Sequence, residues 1–169
     1  MRRTACLTLA LALLSAPAIA QDVAPANPLI DYPGFEELVR DIGPLREAHR
    51  LPWRDFERSA RADGAVLLDT RSAEAFAQGH LRGAVNLPFS DFTDVKLQAV
   101  LGADPDRPIY IYCNNNFSDD RPPVVTKRAP LALNIPTFIN LHGYGYRNVW
   151  ELADVIATGD PDVDWVTGA

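Results

Sequence analysis

The chain has 169 residues, of which 47% are hydrophobic and 22% charged, and its formal net charge is −6. This length suits one domain with a substantial core. The acidic balance argues against nucleic acid or an anionic membrane as a partner, because both are bound mainly through Lys and Arg on their phosphates.

The first twenty residues have the pattern of a signal peptide. Two arginines precede an apolar run from Leu7 to Leu14, and the segment ends on Ala18-Ile19-Ala20. The run is too short to span a bilayer of roughly 30 Å. A retained anchor is the weaker alternative, because polar residues follow at once. We therefore expect cleavage of residues 1–20, a periplasmic or secreted protein outside the membrane, and a net charge of −8 once both arginines are lost.

The segment after the predicted cleavage site is a proline-bearing leader. Residues 21–33 contain three prolines and predict flexibility, ahead of a single domain over residues 34–169. Apolar residues at helical spacing then predict a helix from Phe35 to His49, broken or kinked at Gly43-Pro44. A second short helix is predicted over Trp53–Ala62.

Strand and helix signals alternate through the rest of the chain. The strands are short apolar runs, predicted over Ala65–Asp69, Ala84–Leu87, Ile109–Tyr112 and Asn148–Leu152. The helices between them carry capping residues or helical spacing, and are predicted over Ser72–Gly79, Asp94–Leu101 and Pro136–Tyr144. This alternation implies an α/β fold with a parallel sheet.

Several side chains are expected to face the core. In the helix over 94–101 they are Val95, Leu97, Val100 and Leu101, and in the helix over 136–144 they are Phe138, Ile139 and Leu141. The tail after Leu152 is expected to form a helical turn. Its Trp165 should pack back on the core.

Cys113 is the only cysteine after residue 20, and it directly follows the strand Ile109–Tyr112. A lone cysteine is either a buried, inert hydrophobic residue or a reactive thiol. In open parallel sheets, ligands bind beyond the carboxyl ends of the strands. That edge is predicted to hold both Cys113 and Asp69-Thr70-Arg71. The position of Cys113 therefore favours a functional role for its thiol.

Three passages together resemble the rhodanese-like family of sulfurtransferase domains, over about residues 50–152. They are DTRSAEAFAQGHLRGAVNLP from Asp69, IYIYC ending at Cys113, and LHGYGYRNVWEL from Leu141. The resemblance implies a single α/β domain, with a central parallel sheet of about five strands and helices on both faces. It also implies a sulfurtransferase that carries a sulfane sulfur as a persulfide on Cys113. The sulfur would pass to a thiophilic acceptor such as cyanide or another thiol.

From this resemblance we expect a small sulfur-containing substrate or a protein thiol as the partner of a monomeric enzyme, with no cofactor and no metal. The candidate substrate-binding residues are Asn114, Asn115, Asn116, Phe117, Arg121 and Arg71. A thiolate is needed because the thiol is a poor nucleophile. Its stabilisation is expected from backbone N–H groups, a helix N-terminus, or the basic side chains Arg121, Lys127 and Arg128.

The loop after Cys113 departs from the family pattern. It lacks the glycine and arginine that usually follow the cysteine closely, and residues 117–134 form an insertion of a dozen or more residues. Such an insertion beside a site is more often functional than idle. Asp119 and Asp120 should raise the pKa of the thiol, because nearby carboxylates disfavour the thiolate.

Other polar residues of the first passage are interpreted as structural. Asp69 and Arg71 can tie the strand end to neighbouring loops, His80 can be satisfied by backbone groups in a turn, and Arg82 can form a surface ion pair. No second histidine or cysteine lies at metal-site spacing from His80.

Two other functions remain open. The chain could be a non-catalytic binding module that uses the loop over residues 114–134. A phosphatase would need an arginine six positions after the cysteine to hold phosphate, but position 119 is an aspartate and Arg121 lies two residues too far along.

Overall fold

The computed structural model describes residues 27–168. The predicted signal peptide over residues 1–20 and the first part of the predicted leader lie outside the described residues. Within residues 27–168, no helix is long and apolar enough to cross a bilayer.

Five parallel strands form the central sheet of the described chain. They are β1 (Arg50–Leu51), β2 (Val66–Asp69), β4 (Val85–Asn86), β5 (Ile109–Tyr112) and β6 (Val149–Leu152). Their order across the sheet is β1-β6-β5-β2-β4, so β5 lies at the centre. Two further strands, β3 (His80–Leu81) and β7 (Trp165–Val166), pair with each other antiparallel. The predicted α/β fold with a parallel sheet of about five strands is confirmed.

Helices cover both faces of this sheet, as predicted. Those in the described chain are α1 (Tyr32–Ala48), α2 (Trp53–Ala60), α3 (Ala73–Gln78), α4 (Asp94–Leu101) and α5 (Asn134–Gly143). On one face, apolar side chains of α1, α4 and α5 pack on the sheet in a cluster that includes Leu97, Phe138 and Ile111. On the other face, Phe56 of α2 packs with Tyr112 and other residues.

Local sequence explains why the middle elements form where predicted. The Ser72 hydroxyl accepts a hydrogen bond from the Ala75 N–H and caps α3, and Thr93 caps α4 through the Lys96 N–H. Gly102 ends α4 at a φ of +84°, which a glycine adopts without strain. The β-branched and aromatic residues of β5 are all buried.

The structure departs from the predictions at several places. Helix α1 begins at Tyr32 and runs through Pro44, since Ile42 and Arg46 on either side are tied to the rest of the domain. Val95 is 79% exposed and does not face the core, whereas Leu97 and Leu101 do. In the described part of the tail, strand β7 replaces the predicted helical turn, because its partner β3 supplies backbone hydrogen bonds.

Trp165 packs back on the core, as predicted, and it does so against a glycine. A Cβ atom at position 79 would lie 2.5 Å from the indole Nε1 of Trp165. Gly79 therefore lets the tail approach the end of α3 closely.

Candidate functional site

Cys113 lies at the carboxyl end of the central strand β5, and its side chain is fully buried. The chain then makes a single 3₁₀ turn over Asn114–Asn116. The backbone N–H of Cys113 donates to Oδ1 of Asn116 over 2.9 Å, which fixes the turn directly behind the thiol. The predicted position of the cysteine at the carboxyl edge of the sheet is what the structure shows.

Backbone N–H groups near the Cys113 sulfur favour its ionised form. They belong to Asn115 in the 3₁₀ turn and to Leu133 and Asn134 at the start of α5. The Asn116 N–H also caps the Cys113 side chain. Burial raises the pKa of the Cys113 thiol above its ordinary value; the N–H groups lower it, and the nearby Glu151 raises it further. The pKa of the thiol is raised on balance. While the sulfur is buried, its desolvation therefore outweighs the N–H groups and the helix N-terminus, which favour a thiolate.

Helix α5 is held in place above the sulfur by a contact with the neighbouring strand end. The hydroxyl oxygens of Thr70, after β2, and Thr137, in the first turn of α5, lie 3.0 Å apart and are buried. This contact keeps the N-terminus of α5 against the carboxyl edge of the sheet, where Leu133 and Asn134 meet the thiol.

The asparagines after the thiol clamp the inserted segment. Asn114 donates to the carbonyl of Val125 over 2.6 Å. Asn115 donates to the carbonyl of Lys127 over 2.8 Å and accepts from the Lys127 N–H over 3.1 Å. Because both side chains bind backbone in residues 125–127, they hold this part of the insertion beside Cys113 and act as a clasp.

Asn116 instead links the thiol loop to the next strand. Its Nδ2 donates to the carbonyl oxygens of Leu152 and Asp154 over 2.9 and 3.0 Å. Its Oδ1 accepts from Nδ2 of Asn134 as well as from the Cys113 N–H. Asn116 therefore couples the end of β6, the start of α5 and the cysteine in one hydrogen-bonded junction.

Arg71 is held by hydrogen bonds within the fold. Its guanidinium forms a buried ion pair with Asp69, with the two side chains 2% and 0% exposed. It also donates to the carbonyls of Gly79 and Pro123 over 2.7 and 3.2 Å. These contacts agree with the interpretation of Arg71 as a tie between the strand end and neighbouring loops. Its contact with a substrate stays a prediction.

Phe117 lies in the core and Arg121 at the surface. Phe117 is buried edge-on against the rings of Tyr112 and Trp165, on the face of the sheet covered by α2. The Arg121 side chain is 76% exposed and lies 3.8 Å from Asp119. Phe117 is therefore used in core packing and Arg121 lies at the surface, and a substrate contact of either side chain stays a prediction.

The two loop aspartates are used within the loop and tail. Asp119 accepts hydrogen bonds from the backbone N–H and the hydroxyl of Thr158, both over 2.9 Å, and this backbone donor lowers the pKa of the Asp119 carboxyl. Asp120 accepts from the Thr126 N–H over 2.9 Å. The carboxylate that raises the pKa of the thiol is Glu151, not these two as predicted.

His80 and Arg82 have the structural roles predicted for them. The His80 ring stacks on Phe76, and its Nδ1 lies 2.9 Å from the carbonyl oxygen of the same residue. Arg82 pairs with Asp164 at the surface over 2.8 Å. Across residues 27–168, no three His, Cys, Asp or Glu side chains cluster in a way that could hold a metal ion.

The sequence predictions missed a buried polar group beneath the thiol. Glu151 of β6 accepts a hydrogen bond from Arg46 of α1 over 2.7 Å and one from Nδ2 of Asn134 over 3.3 Å. Oε2 of Glu151 and Oδ1 of Asn134 are buried without a partner among the described residues. The signal available in the sequence was a glutamate inside the otherwise apolar strand β6.

A cleft of about 520 Å³ opens beside the thiol loop at the carboxyl edge of the sheet. Asn114 and Leu133, which flank Cys113, form part of its wall. Three charged side chains also line it. Arg71 is paired with Asp69 and Asp91 with Lys96, which leaves Lys127 without an ion pair among residues 27–168.

The fold and the site define an α/β domain that presents one cysteine at the carboxyl end of its central parallel strand, cupped by backbone N–H groups. The rhodanese-like domain model matches residues 54–154. The chain therefore belongs to the rhodanese-like domain family.

A curated relative carries a sulfurtransferase name. Thiosulfate sulfurtransferase GlpE of Pseudomonas putida (strain GB-1) is 33% identical over 74 residues, which make up 44% of this chain and 64% of that protein. The match thus spans less than two thirds of the relative's length.

Similar solved structures include two bacterial proteins. Thiosulfate sulfurtransferase from Pseudomonas aeruginosa gives a TM-score of 0.48 at 24% identity, covering 71% of this chain and 20% of that one. A protein from Bacillus halodurans gives a TM-score of 0.47 at 16% identity, covering 71% of this chain and 75% of that one.

Proposed function

We propose that this protein is a sulfurtransferase that carries a sulfane sulfur as a persulfide on Cys113 and passes it to a thiophilic acceptor. The observation that carries the proposal is the position of the buried Cys113 sulfur, which lies among backbone N–H groups of the 3₁₀ turn that follows it and of the start of α5. Such donors stabilise negative charge, which a thiolate or a persulfide anion would bring to this position. Family membership and the sulfurtransferase relative support the same class of chemistry.

The reaction has two displacement steps. In the first, the Cys113 thiolate attacks the outer sulfur of a sulfane donor such as thiosulfate. A new S–S bond forms, the donor's S–S bond breaks, and sulfite leaves with the electron pair. In the second, cyanide or an acceptor thiolate attacks the outer persulfide sulfur, which yields thiocyanate or an acceptor persulfide and restores the Cys113 thiolate. No external oxidant or reductant is consumed.

The clasp made by Asn114 and Asn115 must open for these steps. Cys113 is fully buried, and burial is the main reason why the pKa of its thiol is raised. Release of residues 125–127 from the two asparagines would admit water and donor to the sulfur, and so favour the thiolate. The closed arrangement then protects the persulfide from unwanted acceptors.

Sulfur loading on the full chain tests the proposed chemistry. The protein is reduced, incubated with thiosulfate, freed of excess reagent and measured by intact mass spectrometry. We expect a gain of one sulfur atom, lost again on treatment with cyanide as thiocyanate appears. If no sulfane donor loads the protein at any pH at which it remains folded, the sulfurtransferase proposal is rejected.

Lys127 is proposed to recognise an anionic sulfur donor in the cleft. Of the charged side chains on the cleft wall it alone has no ion pair within residues 27–168, and Asn115 hydrogen-bonds to its backbone. Changing Lys127 to Glu is expected to slow sulfur loading from thiosulfate about tenfold at low salt, since attraction of a dianion becomes repulsion. The loading rate as a function of thiosulfate concentration measures this effect.

The neighbouring Arg128 provides the matched control for this prediction. It is exposed and does not line the cleft, so Arg128→Glu changes the net charge equally while leaving the cleft wall intact. We expect the control to keep near wild-type loading. Equal slowing by both variants would assign the effect to overall charge and remove Lys127 from the donor site.

We further propose that the protein works after export, in the periplasm or outside the cell, on a small sulfur compound or a protein thiol. The signal-like N-terminal sequence and the acidic net charge support this proposal. The comparisons do not favour a non-catalytic binding module.

A further inference from the structure

We propose that Arg46 and Glu151 tune the ionisation of Cys113 from beneath the sheet edge, with Glu151 opposing the thiolate and Arg46 masking that opposition. This inference deepens the proposed function, because it concerns the same thiol. Both residues lie outside the loop that follows Cys113, and Arg46 also lies before the matched family segment at residues 54–154.

A continuous chain of hydrogen bonds joins these residues to the cysteine. Nη2 of Arg46 donates to Oε1 of Glu151, and Nδ2 of Asn134 lies 3.3 Å from the same oxygen. That Nδ2 also donates over 2.9 Å to Oδ1 of Asn116, which accepts the Cys113 N–H. The Asn134 backbone N–H is also among the groups that lower the pKa of the thiol. One asparagine therefore separates the carboxylate from the thiol.

The buried setting makes the charge of Glu151 effective. Glu151 is 4% exposed, and water screens a charge poorly at such a position. Its carboxylate raises the pKa of the Cys113 thiol, because two negative charges close together are unfavourable. Its ion pair with Arg46, whose side chain is 21% exposed, supplies the compensating positive charge.

The other ionisable groups near Glu151 have partners of their own. His49, between α1 and β1, has Nδ1 2.9 Å from the Val149 carbonyl oxygen and stacks on Trp150. His142 of α5 has Nδ1 3.0 Å from the Phe138 carbonyl oxygen. Arg50, beside Glu151 in the sheet register, pairs with Glu47 at the surface. Glu47, which is 63% exposed, also lies 3.4 Å from Nη1 of Arg46. These contacts leave Arg46 as the cation that touches Glu151 among the described residues.

The proposal predicts opposite effects of two charge-removing variants. Glu151→Gln keeps Oε1 as an acceptor for Arg46 and removes the negative charge, so the thiol should ionise at lower pH. Arg46→Gln exposes the thiol to the full charge of Glu151, so the thiol should ionise at higher pH. Each change is expected to alter the thiolate fraction near neutral pH on the order of threefold or more.

The double variant tests whether Arg46 acts on the thiol through Glu151 or independently of it. Since Arg46 acts through Glu151, adding Arg46→Gln to Glu151→Gln should change the ionisation midpoint much less than it does in the wild-type background. Arg46→Lys retains the charge and should stay close to wild type. Arg147→Gln, which alters an exposed pair with Asp106, is the matched control and should have no effect.

The midpoint is measured by NMR on the full chain with ¹³C-labelled cysteine, from the Cβ chemical shift of Cys113 against pH. Cys113→Ser identifies the signal, and circular dichroism checks that each variant is folded. No sulfur donor is present, so the result does not depend on whether the protein transfers sulfur. A midpoint that does not fall in Glu151→Gln, or that moves the same way in both charge-removing variants, overturns the proposal. If Arg46→Gln does not fold, Glu151→Gln alone decides.

Discussion

Replacing Cys113 with serine is expected to abolish sulfur loading from thiosulfate, with no gain of mass and no thiocyanate on addition of cyanide. The reason is chemical: a serine hydroxyl stays protonated near neutral pH and cannot form a persulfide. The cup of backbone N–H groups from Asn115, Leu133 and Asn134 remains in the variant. The loss of sulfur loading would therefore result from removal of the sulfur atom and not from a change in the fold.

The serine variant should remain folded, which makes the comparison clean. Serine is close to cysteine in size, and its oxygen can accept the hydrogen bonds that the backbone N–H groups offer. Thermal unfolding of both proteins measures this. If folded Cys113→Ser still gains sulfur that cyanide removes, then another group carries the sulfur and the site assigned to Cys113 is wrong.

Replacing Asp69 with asparagine is expected to lower the free energy of unfolding by about 3 kcal/mol, because it leaves a buried charge uncompensated. Arg71 would stay buried, with neutral acceptors only: the carbonyls of Gly79 and Pro123 and the amide oxygen at position 69. The same change weakens the acceptor for the buried Tyr112 hydroxyl, which lies 2.7 Å from Asp69 Oδ2. Urea unfolding at neutral pH measures the loss.

Asp164→Asn is the matched control for this stability prediction. Asp164 pairs with Arg82 over 2.8 Å, but the two side chains are 36% and 62% exposed. Exposed pairs contribute about 0–1 kcal/mol, so this variant should unfold close to wild type. Equal losses in the two variants would mean that burial does not increase the contribution of the Asp69–Arg71 pair to the free energy of unfolding.

Much of the fold could be predicted because its signals are local. Helix α4 and strand β5 have the predicted bounds, since a capping threonine, a final glycine and a β-branched run act within a few residues. Strands β1, β3 and β7 were missed. Each of these strands is only two residues long, which is too short for a periodic pattern in the sequence. Each forms because a distant strand pairs with it.

The sequence by itself determined that Cys113 lies at the carboxyl edge of a parallel sheet and that the loop behind it is unusual. Only the tertiary structure decided which groups meet the sulfur. Leu133, Asn134 and Glu151 lie at least twenty positions away along the chain, and α5 and β6 bring them to the thiol. Arg71 shows the reverse case. Its positive charge suggested contact with an anionic substrate, but folding placed it in a buried ion pair with Asp69. Separating the two would leave a charge buried without a partner, which is strongly destabilising.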